Sequence, residues 1–165
     1  MTSDELNQLV LSLGISKDQI LREEAEMLFL NDLAQSPLGS KVLFYGGTAL
    51  RLAYGSPRFS EDIDLLRLKP VLLSRFTSLM RHIEKKYPNW TLEDVQDKRK
   101  TIFALFNISD EKLKHNFSLK IELHKPEKEQ GISSQLVLLK SAASTAEPLL
   151  LVPSLDELKR LKEGA

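Results

Sequence analysis

The order of secondary-structure patterns along this chain predicts an α+β fold rather than a strictly alternating parallel sheet. Helical patterns fill the first 35 residues, strand patterns begin at Val42, and strands resume after one more helix. Asn116 to His124 alternates cleanly, with Phe117, Leu119, Ile121 and Leu123 on one face and Ser118, Lys120, Glu122 and His124 on the other. That is the signature of a strand with one buried face. Val42-Leu43-Phe44-Tyr45, bounded by Gly46-Gly47, is an apolar run of the length expected for a buried strand ending at a turn.

The first predicted helix covers residues 3–13, with Ser3 as cap, Leu6, Leu9, Val10 and Leu13 on one side, and Gly14 as terminator. Ser16 caps a longer helix reaching about Gln35, whose apolar stripe is Ile20, Leu21, Met27, Leu28, Leu30 and Leu33. Glu23, Glu24 and Glu26 are expected on its solvated face. Ser36 to Ser40 reads as a loop. After the strand at 42–45, Thr48 to Tyr54 gives one or two helical turns, stopped by Gly55-Ser56-Pro57. Phe59 to Leu66 reads as a second strand. A helix follows over roughly 70–87, with Pro70 near its first turn and Val71, Leu72, Phe76, Leu79, Met80 and Ile83 on its buried side. Further strands are expected at 101–107, 116–124 and 135–140, with a polar loop over 125–131. Ser154, with Glu157 as capping-box partner, introduces a last helix. Residues 1–40 form an N-terminal helical segment and 41–165 the core, together one compact domain.

Composition narrows the function classes. The 42% hydrophobic and 28% charged content is that of an ordinary globular chain. A net charge of +0 gives no global attraction to nucleic acid or to anionic membranes. The chain has no cysteine, which excludes disulfides and thiolate metal sites. No apolar run approaches membrane-spanning length. Asp4 and Glu5 stand where a signal peptide would be basic, so a cytoplasmic protein without membrane contact is expected.

The chemistry is concentrated in Val42 to Leu66. In a strand, residues two apart share a face, so Ser60, Asp62 and Asp64 line up while Ile63 and Leu65 point into the core. Paired carboxylates repel unless a cation sits between them, and Mg²⁺ favours one or two carboxylates plus phosphate oxygens and water. Upstream, a Gly46-Gly47 turn at a helix start leaves backbone N–H groups unpaired and lets a ligand approach. Asp-x-Asp or Gly-Gly alone is commonplace. A phosphate cradle and a metal-binding pair joined by a short helix make a nucleoside triphosphate site.

Gly46-Gly47-Thr48-Ala49-Leu50, followed by Arg58, Ser60, Asp62, Ile63 and Asp64, resembles the first motif of the AbiEii/AbiGii toxin nucleotidyltransferases, within the DNA polymerase β-like superfamily. The motif is complete, and a weaker likeness extends over most of 40–162. The resemblance implies a small mixed sheet backed by helices. It also implies a Mg²⁺-dependent transfer of a nucleoside monophosphate from NTP to an acceptor hydroxyl, on the 3′ end of tRNA or on a protein. The setting would be an abortive-infection or toxin–antitoxin system with a cognate antitoxin.

Two Mg²⁺ ions about 3.5–4 Å apart serve such transfers, and two aspartates hold two ions poorly. Glu122, mid-strand on the polar face, is the expected third ligand and base for the hydroxyl, against a solvated edge-strand glutamate. Lys120-Ile121-Glu122 also matches where the family places its third acid. Arg58 suits bidentate phosphate contacts. Ser60 donates to phosphate, fixes an aspartate or only starts the strand; the Thr48 hydroxyl touches phosphate or only caps the helix. His82, His115 and His124 are not spaced as a metal cluster, although His124 shares a face with Glu122. Lys98-Arg99-Lys100 with Lys112 and Lys114 is read as an RNA-facing patch or a solvated run.

At the C-terminus, Val152 to Glu157 followed by Lys162 resembles the family's last motif, whose lysine faces the nucleotide. Family members usually continue with a helical region on the acceptor side, whereas this chain ends at Ala165, so Lys162 is read either as catalytic or as a solvated lysine. Two other readings stand beside the transferase: an idle fold serving as a binding module, and a phosphotransferase using the same metal site.

Overall fold

The computed structural model describes residues 1–126 and 131–163, the side chains of 162 and 163 excepted. Two helices, α1 (Ser3–Leu13) and α2 (Lys17–Gln35), lead through a 3₁₀ turn (Pro37–Lys41) into β1 (Val42–Tyr45). Helix α3 (Gly46–Tyr54), β2 (Asp62–Arg67) and α4 (Leu73–Lys86) follow. Then come β3 (Trp90–Asp97), β4 (Thr101–Ile108) and β5 (Phe117–His124). A hairpin of β6 (Ser134–Leu138) and β7 (Leu149–Pro153) precedes α5 (Leu155–Glu163). The main sheet has the order β1-β2-β5-β4-β3, and β2–β5 is its parallel pair, the other neighbours being antiparallel. The fold is the expected α+β type with a mixed sheet.

One face of this sheet is covered. Ile63 and Leu65 of β2, Leu119, Ile121 and Leu123 of β5, and Ile102, Ala104, Phe106 and Ile108 of β4 are all buried there. Helices α2 and α4 bring Met27, Phe29, Leu30, Leu33, Phe76, Met80 and Ile83 to the same core. The alternating partners, Asp62, Asp64, Lys120, Glu122 and His124 among them, are left on the other face.

Several expectations are corrected. Thr2, not Ser3, caps α1, accepting from the Glu5 amide. Helix α4 starts at Leu73, and Leu72 is 67% exposed instead of lying on the buried side. Strand β2 starts at Asp62, so Ser60 lies in the preceding loop. Strands β3 and β7 were not expected. In β3 a bulge between Leu92 and Asp94 breaks the period after Trp90 and Leu92, and this edge strand carries Glu93, Asp94 and Asp97 outward. In β7, Leu-Leu-Leu-Val-Pro has no polar alternation to mark a strand. Of the two readings of the basic residues, a single patch does not form: 98–100 and 112–114 lie at opposite ends of the eight-residue β4, roughly 25 Å apart. Lys112 is also paired to Asp110 at 3.2 Å.

The largest correction concerns α2. Glu23 and Glu26 are 4% and 2% exposed, not solvated. The helix is wrapped on more than one side, because α1 packs against it as well as the sheet and α4. Glu23 receives the Arg51 guanidinium and the Ser141 hydroxyl. Glu26 lies 3.3 Å from the Thr48 hydroxyl, which is also 2.5 Å from the Asp62 carbonyl. A hydroxyl has one proton. The Asp62 carbonyl is the nearer acceptor, so the bond that Thr48 donates to Glu26 is the weaker of the two. Burial first, then the Glu23 carboxylate, push the Glu26 carboxyl well above the usual range, with Thr48 and two arginines opposing.

A carboxyl raised in the folded state contributes stability that is complete below its unfolded value and lost as pH rises through its folded value. Glu26→Gln is therefore expected to raise the melting temperature by a few degrees at neutral and alkaline pH. The gain should shrink to nothing near pH 4. Scanning calorimetry of both proteins across that range measures it, and a gain that is largest in acid contradicts the assignment.

Candidate active site

The site follows from the pairing of β2 with β5. Their register sets Asp62 opposite Lys120, Asp64 opposite Glu122 and Leu66 opposite His124. Side-chain alternation then puts Asp62, Asp64, Lys120, Glu122 and His124 on the uncovered face. Strand β1 flanks them, with Tyr45 opposite Asp64. The three expected acids are brought together on one face.

Lys120 and His124 interleave with the three carboxylates. Lys120 Nζ is 3.0 Å from Glu122 Oε1 and 3.6 Å from Asp62 Oδ2. His124 Nε2 is 3.1 Å from Asp64 Oδ1 and 3.8 Å from Glu122 Oε2. The hydrogen bond to the Asp64 carboxylate raises His124, with burial opposing. Contact with Glu122 raises Lys120. Burial raises the Asp62 carboxyl, Lys120 counters, and Asp64 and Glu122 add to the rise. Tyr45, edge-on to the His124 ring with centroids 5.7 Å apart, stays a neutral phenol, held above its usual range by burial and by the two acids beside it.

Asp64, Glu122 and His124 each offer a ligand atom, all within 4.8 Å of one another. Asp62 lies just outside this group, turned toward Lys120. Lys120 is not among the expected site residues, and His124 is expected only to share a face with Glu122. The signal that finds them is parity with Glu122 on a strand whose register with the Asp-x-Asp strand is known.

The expected glycine turn leads from β1 into α3. Gly46 has φ +88°, and a Cβ there would sit 2.8 Å from Asp64 Oδ2. A Cβ on Gly47 would meet Ser60 Oγ at 3.1 Å. Gly46 is therefore favoured both by its left-handed backbone and by the close approach of Asp64, whereas at Gly47 a Cβ would only need Ser60 to shift slightly. Tyr45 is the N-cap of α3 and supplies no side-chain bond to its first turn. A helix start of this kind favours an anion. Beside it opens a pocket of about 200 Å³ lined by Gly47, Leu50, Ser56, Arg58 and Ser60. Expected residues Gly47, Arg58 and Ser60 thus meet at one cavity.

Thr48 departs from expectation. Its side chain is 2% exposed and ties α3 to the β2 backbone and α2, so the hydroxyl neither faces a ligand nor caps the helix. Lys162 lies in α5, which packs against α3, but its side chain is outside the described residues.

The fold is shared with solved structures, one of them a nucleotidyltransferase toxin. MenT4, a nucleotidyltransferase toxin from Mycobacterium tuberculosis, superimposes with a TM-score of 0.69 at 18% identity, over 99% of this chain and 58% of MenT4. JHP933 from Helicobacter pylori gives 0.63 at 19% identity, over 90% of this chain and 57% of that one. The chain thus spans less than two thirds of the length of either neighbour. The family model described as "Nucleotidyl transferase AbiEii toxin, Type IV TA system" matches residues 28–133. The chain belongs to this AbiEii nucleotidyltransferase toxin family. A search of curated proteins returned no match. Among the described residues, no helix is long and apolar enough to cross a membrane.

The dependence of the site on Gly46 is testable. Gly46→Ala is expected to cost about 1–2 kcal/mol from the left-handed backbone, and to displace Asp64 and weaken Mg-NTP binding. Gly55→Ala is the control, since Gly55 has φ +75° with nothing within 4 Å of a Cβ. It should lose similar stability and keep NTP binding. Urea unfolding and calorimetry separate the two effects, and equal NTP binding by both variants contradicts the proposed contact.

Proposed function

We propose that this chain transfers a nucleoside monophosphate from an NTP to an acceptor hydroxyl, releasing pyrophosphate, as the toxin of a toxin–antitoxin pair. The acceptor is the 3′ end of tRNA or a protein side chain. A cognate antitoxin is the expected partner, and the cytoplasm the expected site of action. The observation that carries this reading is the β2–β5 register, which sets Asp64 beside Glu122 with Asp62 one step along the same face.

The donor set fits a divalent ion. Asp64 and Glu122 supply hard carboxylate oxygens, His124 a nitrogen, and the missing Cβ of Gly46 leaves room for the Asp64 carboxylate. Asp62, Asp64 and Glu122 would hold Mg²⁺, two ions in the full reading. Bound Mg²⁺ supplies charge neutralisation at the phosphates and favours the deprotonated acceptor oxygen.

The chain's own groups do the rest. The first-turn amides of α3, from Gly46, Gly47 and Thr48, face the phosphates, and Arg58 and Ser60 line the adjoining pocket. Glu122 takes the acceptor proton as the acceptor oxygen bonds to the α-phosphorus. The bond from that phosphorus to the bridging oxygen breaks, and the electron pair leaves with pyrophosphate. Lys162 is assigned to the nucleotide side of the site.

Calorimetric titration with each NTP, with and without Mg²⁺, tests the reading. Binding is expected only with Mg²⁺ and is expected to vanish in the Asp62→Asn/Asp64→Asn double variant, while the melting temperature stays within a few degrees of wild type. Unfolding of the double variant would make the pair structural. Transfer of labelled nucleotide from α-labelled NTP identifies nucleotidyl transfer; label moving only from the γ-position identifies a phosphotransferase. Glu122→Gln should lower turnover by about 10²-fold or more, with a smaller loss of NTP binding, and unchanged turnover removes Glu122 from the site.

A further inference from the structure

Lys120 stands where the acidic site needs a cation. Its ammonium bridges carboxylates from two neighbouring strands, 3.0 Å from Glu122 and 3.6 Å from Asp62. Both partners are assigned above to metal. A divalent ion drawn between the same oxygens competes with this ammonium for them, since the two positive charges repel and need the same lone pairs. The lysine is not locked in place. Its side chain is 38% exposed, and an ammonium on a flexible stem is held only weakly by partly exposed pairs. It also has somewhere to go. A groove of about 490 Å³ opens beside Asp62 and Lys120, and Asp18 and Glu61 line it together with Arg22 and His115.

We propose that Lys120 is an internal counter-ion that bridges Asp62 and Glu122 in the metal-free protein and yields its place to the divalent ion, swinging toward the groove of Asp18 and Glu61. The proposal rests on the nucleotidyltransferase reading. Three carboxylates on adjacent positions of one sheet face repel one another in the absence of metal, and Lys120 and His124 offset that repulsion. The arrangement keeps the apo site folded and sets a threshold for metal entry. On displacement it delivers a positive charge to the groove that Asp62 lines, a cavity distinct from the one lined by Arg58 and Ser60.

Lys120→Met keeps the stem and removes the charge. Titrated with Mg²⁺ alone by calorimetry, this variant is expected to bind about fivefold more tightly than wild type. Its melting temperature should fall in EDTA and recover in Mg²⁺. Lys120→Arg keeps a competing charge and should stay near wild-type affinity. Equal or weaker Mg²⁺ binding by Lys120→Met overturns the proposal and makes Lys120 an organiser of the carboxylates.

A second measurement uses the wild-type chain and does not depend on a variant folding. The rate of Lys120 acetylation by an amine-reactive ester, followed by mass spectrometry, should rise when Mg²⁺ is added, and an unchanged or slower rate overturns the proposal. If neither wild type nor Lys120→Met binds Mg²⁺, the metal-dependent reading itself falls, an outcome distinct from equal binding by both.

Discussion

The parallel pairing of β2 with β5 is the constraint on which the rest depends. It forces Asp64 beside Glu122 and Asp62 beside Lys120, so that the sheet carries a block of charge on one face and apolar contacts on the other. Like charges at this spacing are unfavourable unless compensated. The pairing holds because the covered face buries Ile63, Leu65, Ile121 and Leu123 almost completely. A one-residue slip of β2 would turn Ile63 and Leu65 outward and its two carboxylates inward, at a cost far beyond the repulsion it relieved. Core burial thus enforces an electrostatically strained arrangement, the condition under which a site binds a cation.

The same logic explains how the glycine turn is fixed to the acids. Gly46 has no Cβ because the Asp64 carboxylate lies where one would be, and Gly47 is less tightly crowded by Ser60. Thr48 then binds the β2 backbone at Asp62, and Glu26 sits behind it on α2. Helix α3, β2 and α2 are therefore locked through one buried hydroxyl directly behind the first aspartate. Arg51 continues the link from α3 to Glu23, and Ser141 joins that pair from the loop after β6. The acidic residues of α2 hold the underside of the site in place.

The fold class was legible because β5 alternates over its whole length and α4 has a clear apolar stripe. Strand β3 was not, since its bulge interrupts the period and its edge position leaves charged residues outward. Strand β7 shows no polar alternation in sequence because leucines occupy its less buried positions as well, Leu149 being exposed and Leu151 partly so, while Leu150 and Val152 are buried. The error at Glu23 and Glu26 has a related cause. Charge in a helix predicts solvent only when the opposite side alone is covered, and α2 is covered on several sides.

The sequence by itself determined the local chemistry: a glycine turn before a short helix, two aspartates of the same parity, and a glutamate on the polar face of a later strand. Those are properties of neighbours in the chain, set by backbone geometry and the two-residue period of a strand. Which face met which, and at what register, was decided only by tertiary structure. Lys120 and His124 entered the site that way, the Thr48 hydroxyl left it, and Glu26 became a buried partner instead of a surface charge. The physical reason is that a charge takes its meaning from what surrounds it, and here those surroundings come from residues about 20 to 120 positions away along the chain.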